Sequence, residues 1–215
     1  MTKFDVKHTN TLVTTTRAVR KRLDLGQLVE EQQIKKCLEI SQQAPTGSNR
    51  QGWQWVVITD KGKRRIIANY YRQGTGNYLE EGKNSARDKS DDQDFKVFES
   101  AQYLADNMED VPLLVIPCID TSHMPLNAPA LKWLSLGGSI FPAIWSFQLA
   151  LRARGLGSCI TTLHLAFERE ISKIIGIPET FAQVALLPVA YTKRTDFKPA
   201  KRPPVSEIIH WNSWE

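Results

Sequence analysis

The residues best suited to chemistry lie in Ala44-Pro45-Thr46-Gly47-Ser48-Asn49-Arg50-Gln51-Gly52. Thr46, Ser48, Asn49, Arg50 and Gln51 place hydroxyls, amides and a guanidinium within a few residues of one another. Such a set suits a flat, heteroatom-rich ligand approached edge-on. Pro45, Gly47 and Gly52 can continue neither a helix nor a sheet, so the stretch reads as a loop between a helical pattern and an apolar run. The same composition would serve a plain helix-to-strand connection. Three more stretches carry polar or basic groups: Thr16-Arg17-Ala18-Val19-Arg20, Arg154-Gly155-Leu156-Gly157-Ser158 and Lys201-Arg202-Pro203-Pro204. Alone, the first is a solvated helix face or a phosphate site, the second a helix C-terminus and the third a solvated tail.

In this order and at these distances the four stretches resemble the nitroreductase family of flavin-dependent oxidoreductases, over about Thr15 to Trp211. The resemblance implies an α+β, nitroreductase-like fold: a central mixed or antiparallel sheet flanked by helices, with a C-terminal extension exchanged in a homodimer. It implies FMN held without a covalent bond. Hydride would pass from NADPH or NADH through flavin N5 to a nitro-aromatic, a quinone or a similar small electron acceptor. The same fold also implies two alternatives, a flavin-dependent dehalogenase or flavin-modifying enzyme, and a protein that binds flavin or nucleotide without turnover.

Residue by residue, the resemblance places Arg17, Ala18 and Arg20 at the phosphate and ribityl chain, and Pro45, Thr46, Asn49 and Gln51 beside the ribityl and pyrimidine edge. Gly157, Ile160, Thr161, Thr162 and Leu163 fall in the stretch whose backbone approaches the ring, with the N–H groups of Thr162 and Leu163 near N5. Lys201 and Arg202 close on the phosphate. Thr16 and Ala18 stand where the family often has Arg and Ser, Thr46 replaces a Ser, and Gly52 replaces a Pro. No catalytic side chain is expected, because the chemistry belongs to the cofactor.

The chain has 215 residues, 41% of them hydrophobic, enough for one sizeable core and one domain spanning 1–215. Met1 to Asn10 holds Lys3, Asp5, Lys7 and His8 and no apolar targeting run, and no segment is expected to span a membrane, which points to the cytoplasm. Cys37, Cys118 and Cys159 are odd in number and lack metal-ligand spacing, so reduced core thiols are expected. His8, His123, His164 and His210 show no ligand spacing either. The net charge of +5 is scattered, and the acidic run from Asp88 to Asp94 interrupts it, which argues against a nucleic-acid surface.

The elements that must position these groups follow from periodicity. Thr14 to Arg22 predicts a short helix with Arg17 and Arg20 on one face, where a single anion would meet both. Gln27 to Gln43 predicts an amphipathic helix ending before Pro45. Trp55 to Thr59, Val111 to Ile119 and Gln183 to Tyr191 predict three buried strands. Helices are expected over Ile66 to Tyr71, Phe95 to Met108 and Glu168 to Ile175. Residues 74–94 read as a mobile or partly disordered lid, broken at Gly74-Thr75-Gly76-Asn77. Leu131 to Ala153 predicts a helix apolar nearly all round, buried in a core or against another subunit. Trp53, Trp55, Trp145, Trp211 and Trp214 read as packing rather than flavin stacking. The tail 197–215, extended by Pro199, Pro203 and Pro204 and apolar at Ile208, Ile209, Trp211 and Trp214, reads as a dimer-wrapping arm.

Overall fold

The computed structural model describes residues 4–125 and 127–214. Met1, Thr2, Lys3, Leu126 and Glu215 lie outside them, including the start of the Met1–Asn10 stretch and the last residue of the tail. The chain runs α1 (Val6–Thr15), α2 (Glu31–Ser41), a 3-10 turn at Gly47–Asn49, β1 (Trp53–Ile58), α3 (Lys61–Thr75), α4 (Tyr78–Asp88) and α5 (Asp92–Asn107). It continues with β2 (Leu113–Asp120), α6 (Ala130–Arg152), β3 (Leu156–Ser158), α7 (Glu168–Ile175), β4 (Phe181–Gln183) and β5 (Leu187–Tyr191). The sheet is antiparallel throughout, in the order β1-β2-β5-β3, with β4 also paired to β2.

β2 organises the core. Its residues are buried from Leu113 to Ile119, and a strand apolar at successive positions needs cover on both faces. Leu113, Val115 and Ile119 pack with Ile34 and Cys37 of α2 and with Ile140, Ile144, Phe147 and Leu151 of α6. Leu114, Ile116 and Cys118 pack with Ile67 and Tyr71 of α3, Leu104 of α5 and Ile171 of α7. Two helical layers thus sandwich one sheet. Asp60 and Asp91 cap α3 and α5 by accepting from Lys63 N and from Gln93 and Asp94 N, and Gly176 ends α7 in the left-handed region at φ 78°. The three cysteines are free and buried, as expected.

Four sequence expectations change. The helix expected over Thr14–Arg22 is α1, which ends at Thr15; Arg17 and Arg20 do not share a helical face. The hydroxyls of Thr9, Thr11, Thr14, Thr15 and Thr16 bond carbonyls four residues back, which satisfies them along α1 but slightly weakens the helix. Beyond it, Val19 N–H donates to Ser158 O at 2.9 Å, so the segment lies along β3 instead. Residues 74–94, expected to be partly disordered, form the end of α3, all of α4 and the start of α5. Gly82 is needed there, since a Cβ would sit 2.2 Å from the Phe98 ring of α5, while the expected break falls at Gly76. The run Gln183–Tyr191 divides into β4 and β5 because Leu186 turns away to pair with Thr161.

The fourth change concerns α6. Its 23 residues are long and apolar enough to cross a membrane by length and composition, unlike any other described helix. Here its C-terminal half walls the core, with Ile140, Ile144, Phe147 and Leu151 fully buried. Replacing a buried Phe by Ala costs about 3–5 kcal/mol, so Phe147 anchors this layer. The N-terminal half is open: Leu131 and Leu134 are 74% and 72% exposed and Phe141 is exposed, as is Trp145 on the outer face of the C-terminal half.

Candidate functional site

β3 carries the segment that follows α1. Besides the Val19 bond, a Cβ on Gly157 would lie 2.6 Å from Thr192 Cγ2 and 3.0 Å from Val19 Cβ, so only glycine permits this approach. Gln148 of α6 donates to Ser158 Oγ at 3.0 Å, both side chains being buried. The Gly157→Ala protein is expected to lose roughly 1–3 kcal/mol by overpacking, at roughly 2–4 °C of melting temperature per kcal/mol for a chain this long. An unchanged melting temperature would show that Val19 and Thr192 can give way.

The chain after β5 straps the same edge. Arg17 donates to Lys198 O at 2.9 Å and Arg152 to Thr195 O at 2.8 Å. Phe197 lies between the guanidiniums of Arg22 and Arg152, at 4.9 and 4.7 Å from its ring centre. These cation–ring contacts hold the strap without a strand.

Between the strap, the end of α1 and α6 lies a cavity of about 550 Å³. Thr16, Arg17 and Ala18 form one wall, Trp145 and Gln148 of α6 a second, and Ile160, Ala200 and Arg202 close it. No carboxylate lines it. Neither Arg17 nor Arg202 takes part in an ion pair among the described residues. Each donates to a single backbone carbonyl, Arg17 to Lys198 and Arg202 to its neighbour Lys201. Five donors per guanidinium leave both able to meet an anion.

Of the sequence-predicted site residues, Arg17, Ala18, Ile160 and Arg202 meet at this cavity, while Gly157 lines a small hollow beside it with Thr16 and Arg17. Arg20 turns elsewhere: it donates to Ser100 Oγ of α5 at 3.2 Å and lies beside Cys159. Burial pushes the Cys159 thiol up to about 11 against the opposing pull of Arg20. Lys201 is exposed and outside the wall.

Thr161, Thr162 and Leu163 continue past Ile160 without lining the cavity. Thr161 exchanges backbone bonds with Leu186, at 3.1 and 2.8 Å, and shares a hydroxyl bond of 2.9 Å with Tyr71. Thr162 and Leu163 lead into a 3-10 turn, Leu163–Phe167, and their N–H groups have no backbone acceptor among the described residues. In that turn His164 is fully buried, neither ring nitrogen has a hydrogen-bond partner, and burial pulls its pKa down to about 4.

Pro45, Thr46, Asn49 and Gln51 stand apart from the cavity in the single chain. Gly47 N–H donates to Ser139 Oγ of α6 at 3.2 Å. Ser139 precedes Trp145 by roughly 9 Å of helix, at about 1.5 Å per residue. The loop is strained, with Ser48 and Asn49 both at φ 54°. Gln51 donates to Asn49 Oδ1 at 2.7 Å, and Thr46 Oγ1 is buried without a partner. Left-handed non-glycine residues cost on the order of 1 kcal/mol each and gather at ligand sites.

Sequence reasoning missed Gln148 and gave Trp145 to packing. The one signal for Gln148 is a lone amide in the apolar run from Phe147 to Leu151. Among the described residues no cluster could hold a metal.

An antiparallel sheet between two helical layers, with this cavity at its β3 edge, is the nitroreductase-like fold. The sequence profile of the nitroreductase family matches residues 13–191, and the chain belongs to that family. It is 24% identical over 177 residues to the iodotyrosine deiodinase of Thermotoga neapolitana, covering 82% of this chain and 84% of that protein. Among solved structures it is similar to oxidized iodotyrosine deiodinase bound to FMN and 3-iodo-L-tyrosine, at TM-score 0.70 and 21% identity, covering 94% of this chain and 98% of that one. Nitroreductase A from Vibrio parahaemolyticus superposes at TM-score 0.70 with 17% identity, covering 96% of this chain and 76% of that one.

Proposed function

We propose that the protein is an FMN-dependent oxidoreductase that takes hydride from NADH or NADPH and gives it to a small acceptor such as a nitro-aromatic or quinone. The observation that carries this reading is the meeting of Arg17 and Arg202, both free of carboxylates, at one cavity with an apolar wall of Trp145 and Ile160. FMN, when bound, would supply the hydride-transfer chemistry between the reduced nicotinamide and the acceptor. Arg17 and Arg202 hold its phosphate dianion, with Lys201 adding charge nearby. Ile160 and Trp145 exclude water. The free N–H groups of Thr162 and Leu163 offer donors to a developing negative charge. No side-chain acid or base is needed. Three free thiols accord with a cytoplasmic location.

Purified protein incubated with FMN should show flavin absorption at about one copy per chain and oxidise NADH or NADPH when an acceptor is added. Colourless protein after that incubation would remove the reading. The deiodinase relatives favour a second reading, reductive dehalogenation at the same site. Release of iodide from 3-iodo-L-tyrosine by the reduced protein, without turnover of nitro compounds, would select it. Bound flavin that turns over neither would leave a flavin-binding protein.

The protein works, on this proposal, as a homodimer with flavin at the subunit interface. Supporting it are the exposed apolar residues of α6, the unpaired outer edge of β1, and a tail whose Ile208, Trp211 and Trp214 are exposed in one chain. A second copy covers these surfaces and brings a Pro45–Gln51 loop to each cavity. Sedimentation should find a dimer, and removing the chain from Val205 onward should lower both dimer stability and FMN affinity. A monomer with full flavin content at micromolar concentration would contradict the dimer.

A further inference from the structure

α3 does more than pack on the sheet. Its Tyr71, 2% exposed, brings a phenol to Thr161 Oγ1 at 2.9 Å. One turn on, Gly74 abuts the Leu163 carbonyl so closely that a Cβ would lie 2.0 Å from that oxygen. The segment Ile160–Leu163 is therefore gripped from two directions, by the Leu186 backbone on one side and by α3 on the other. Phenylalanine would fill the Tyr71 site equally well, so the hydroxyl is there for its bond. A buried phenol needs a partner, and this one finds it on the segment that leads from the cavity wall.

We infer that Tyr71 is a positioning residue, whose hydroxyl fixes Thr161 and through it holds the side chain of Ile160 and the N–H groups of Thr162 and Leu163 in one arrangement. Its consequence for turnover rests on the proposed flavin site; the positioning itself does not. Tyr71→Phe should lower the melting temperature by only about 2–4 °C, as the loss of one ordinary hydrogen bond does, and keep the FMN content of the parent. In the apoprotein, amide exchange of Thr161 and Leu186, the two backbone N–H groups that pair this segment, should accelerate about fivefold, the worth of one ordinary hydrogen bond, and stay unchanged elsewhere. In the loaded protein kcat should fall about tenfold or more with KM for the reductant held, because small misplacements beside a reacting centre are costly. Thr161→Val should reproduce both effects, and the double variant should be no worse than either single one, since both remove the same bond.

Unchanged exchange at Thr161 and Leu186 in Tyr71→Phe, or acceleration spread over the whole chain, would overturn the inference. So would single effects that add in the double variant. If the parent protein binds no flavin, the functional reading fails while exchange in the apoprotein still decides the role of Tyr71.

Discussion

Replacing Arg17 and Arg202 by alanine is expected to weaken FMN about tenfold to a hundredfold for each arginine, while riboflavin, which lacks the phosphate, loses little. A charge-assisted bond to phosphate contributes roughly 1.5–3 kcal/mol, which sets this range. Both guanidiniums face the cavity without a carboxylate, so neither removal strands a buried charge and the fold should survive. The double variant should lose less than the product of the single losses, because the arginines share one dianion. Fluorescence titration of apoprotein with both ligands measures this. Equal losses for FMN and riboflavin would place the phosphate elsewhere.

The second large effect is on stability, at His164. Burial pulls its pKa from 6.5 to about 4 in the folded chain. The unfolded chain therefore takes up a proton first as pH falls, and acid favours unfolding. The stability associated with a neutral His164 is complete above pH 6.5, declines through the window down to about 4, and is then gone. At 1.36 kcal/mol per unit the loss amounts to about 3 kcal/mol. Urea melts at steps from pH 7 to 4 should show this decline. His164→Leu should flatten it, leaving only the slope from the carboxylates. It should also raise stability at pH 5, since an imidazole with no hydrogen-bond partner is replaced by an apolar group. Parallel slopes in both proteins would show that His164 finds water or another partner in solution.

What the sequence made legible follows local rules. Helix α7 falls on the expected residues because Gly176 and Pro178 stop it, and β2 announces itself as a short run apolar on both faces. Of the four motif stretches, the first and the last in the chain meet at one cavity. What stayed hidden depends on tertiary pairing. Arg17–Arg20 leaves the helix beside β3, where Ser158 offers a carbonyl to Val19, and the 3-residue β3 carries too little apolar pattern to betray that edge. The run after Gln183 breaks because Leu186 pairs with Thr161, a partner far back in the chain. α4 looked structureless because its polar composition masks the few residues that pack, buried Leu79 and Ala86 and Gly82 against the Phe98 ring. Gln148 joins the site through the Ser158 hydroxyl, and a lone amide in a helix does not disclose its partner.

Arg17 and Arg202 come from nearly opposite ends of the chain, and a consequence for biosynthesis follows. A ribosome releases the first guanidinium long before it makes the second, so no nascent fragment can offer the complete anion cradle. Closing so long a loop costs only about 0.6 kcal/mol more per doubling of its length, but it waits for the sheet edge that receives the strap. On the proposed flavin site, phosphate affinity needs both segments, and a chain truncated before Pro199 keeps Arg17 but lacks Arg202 as its partner at the cavity.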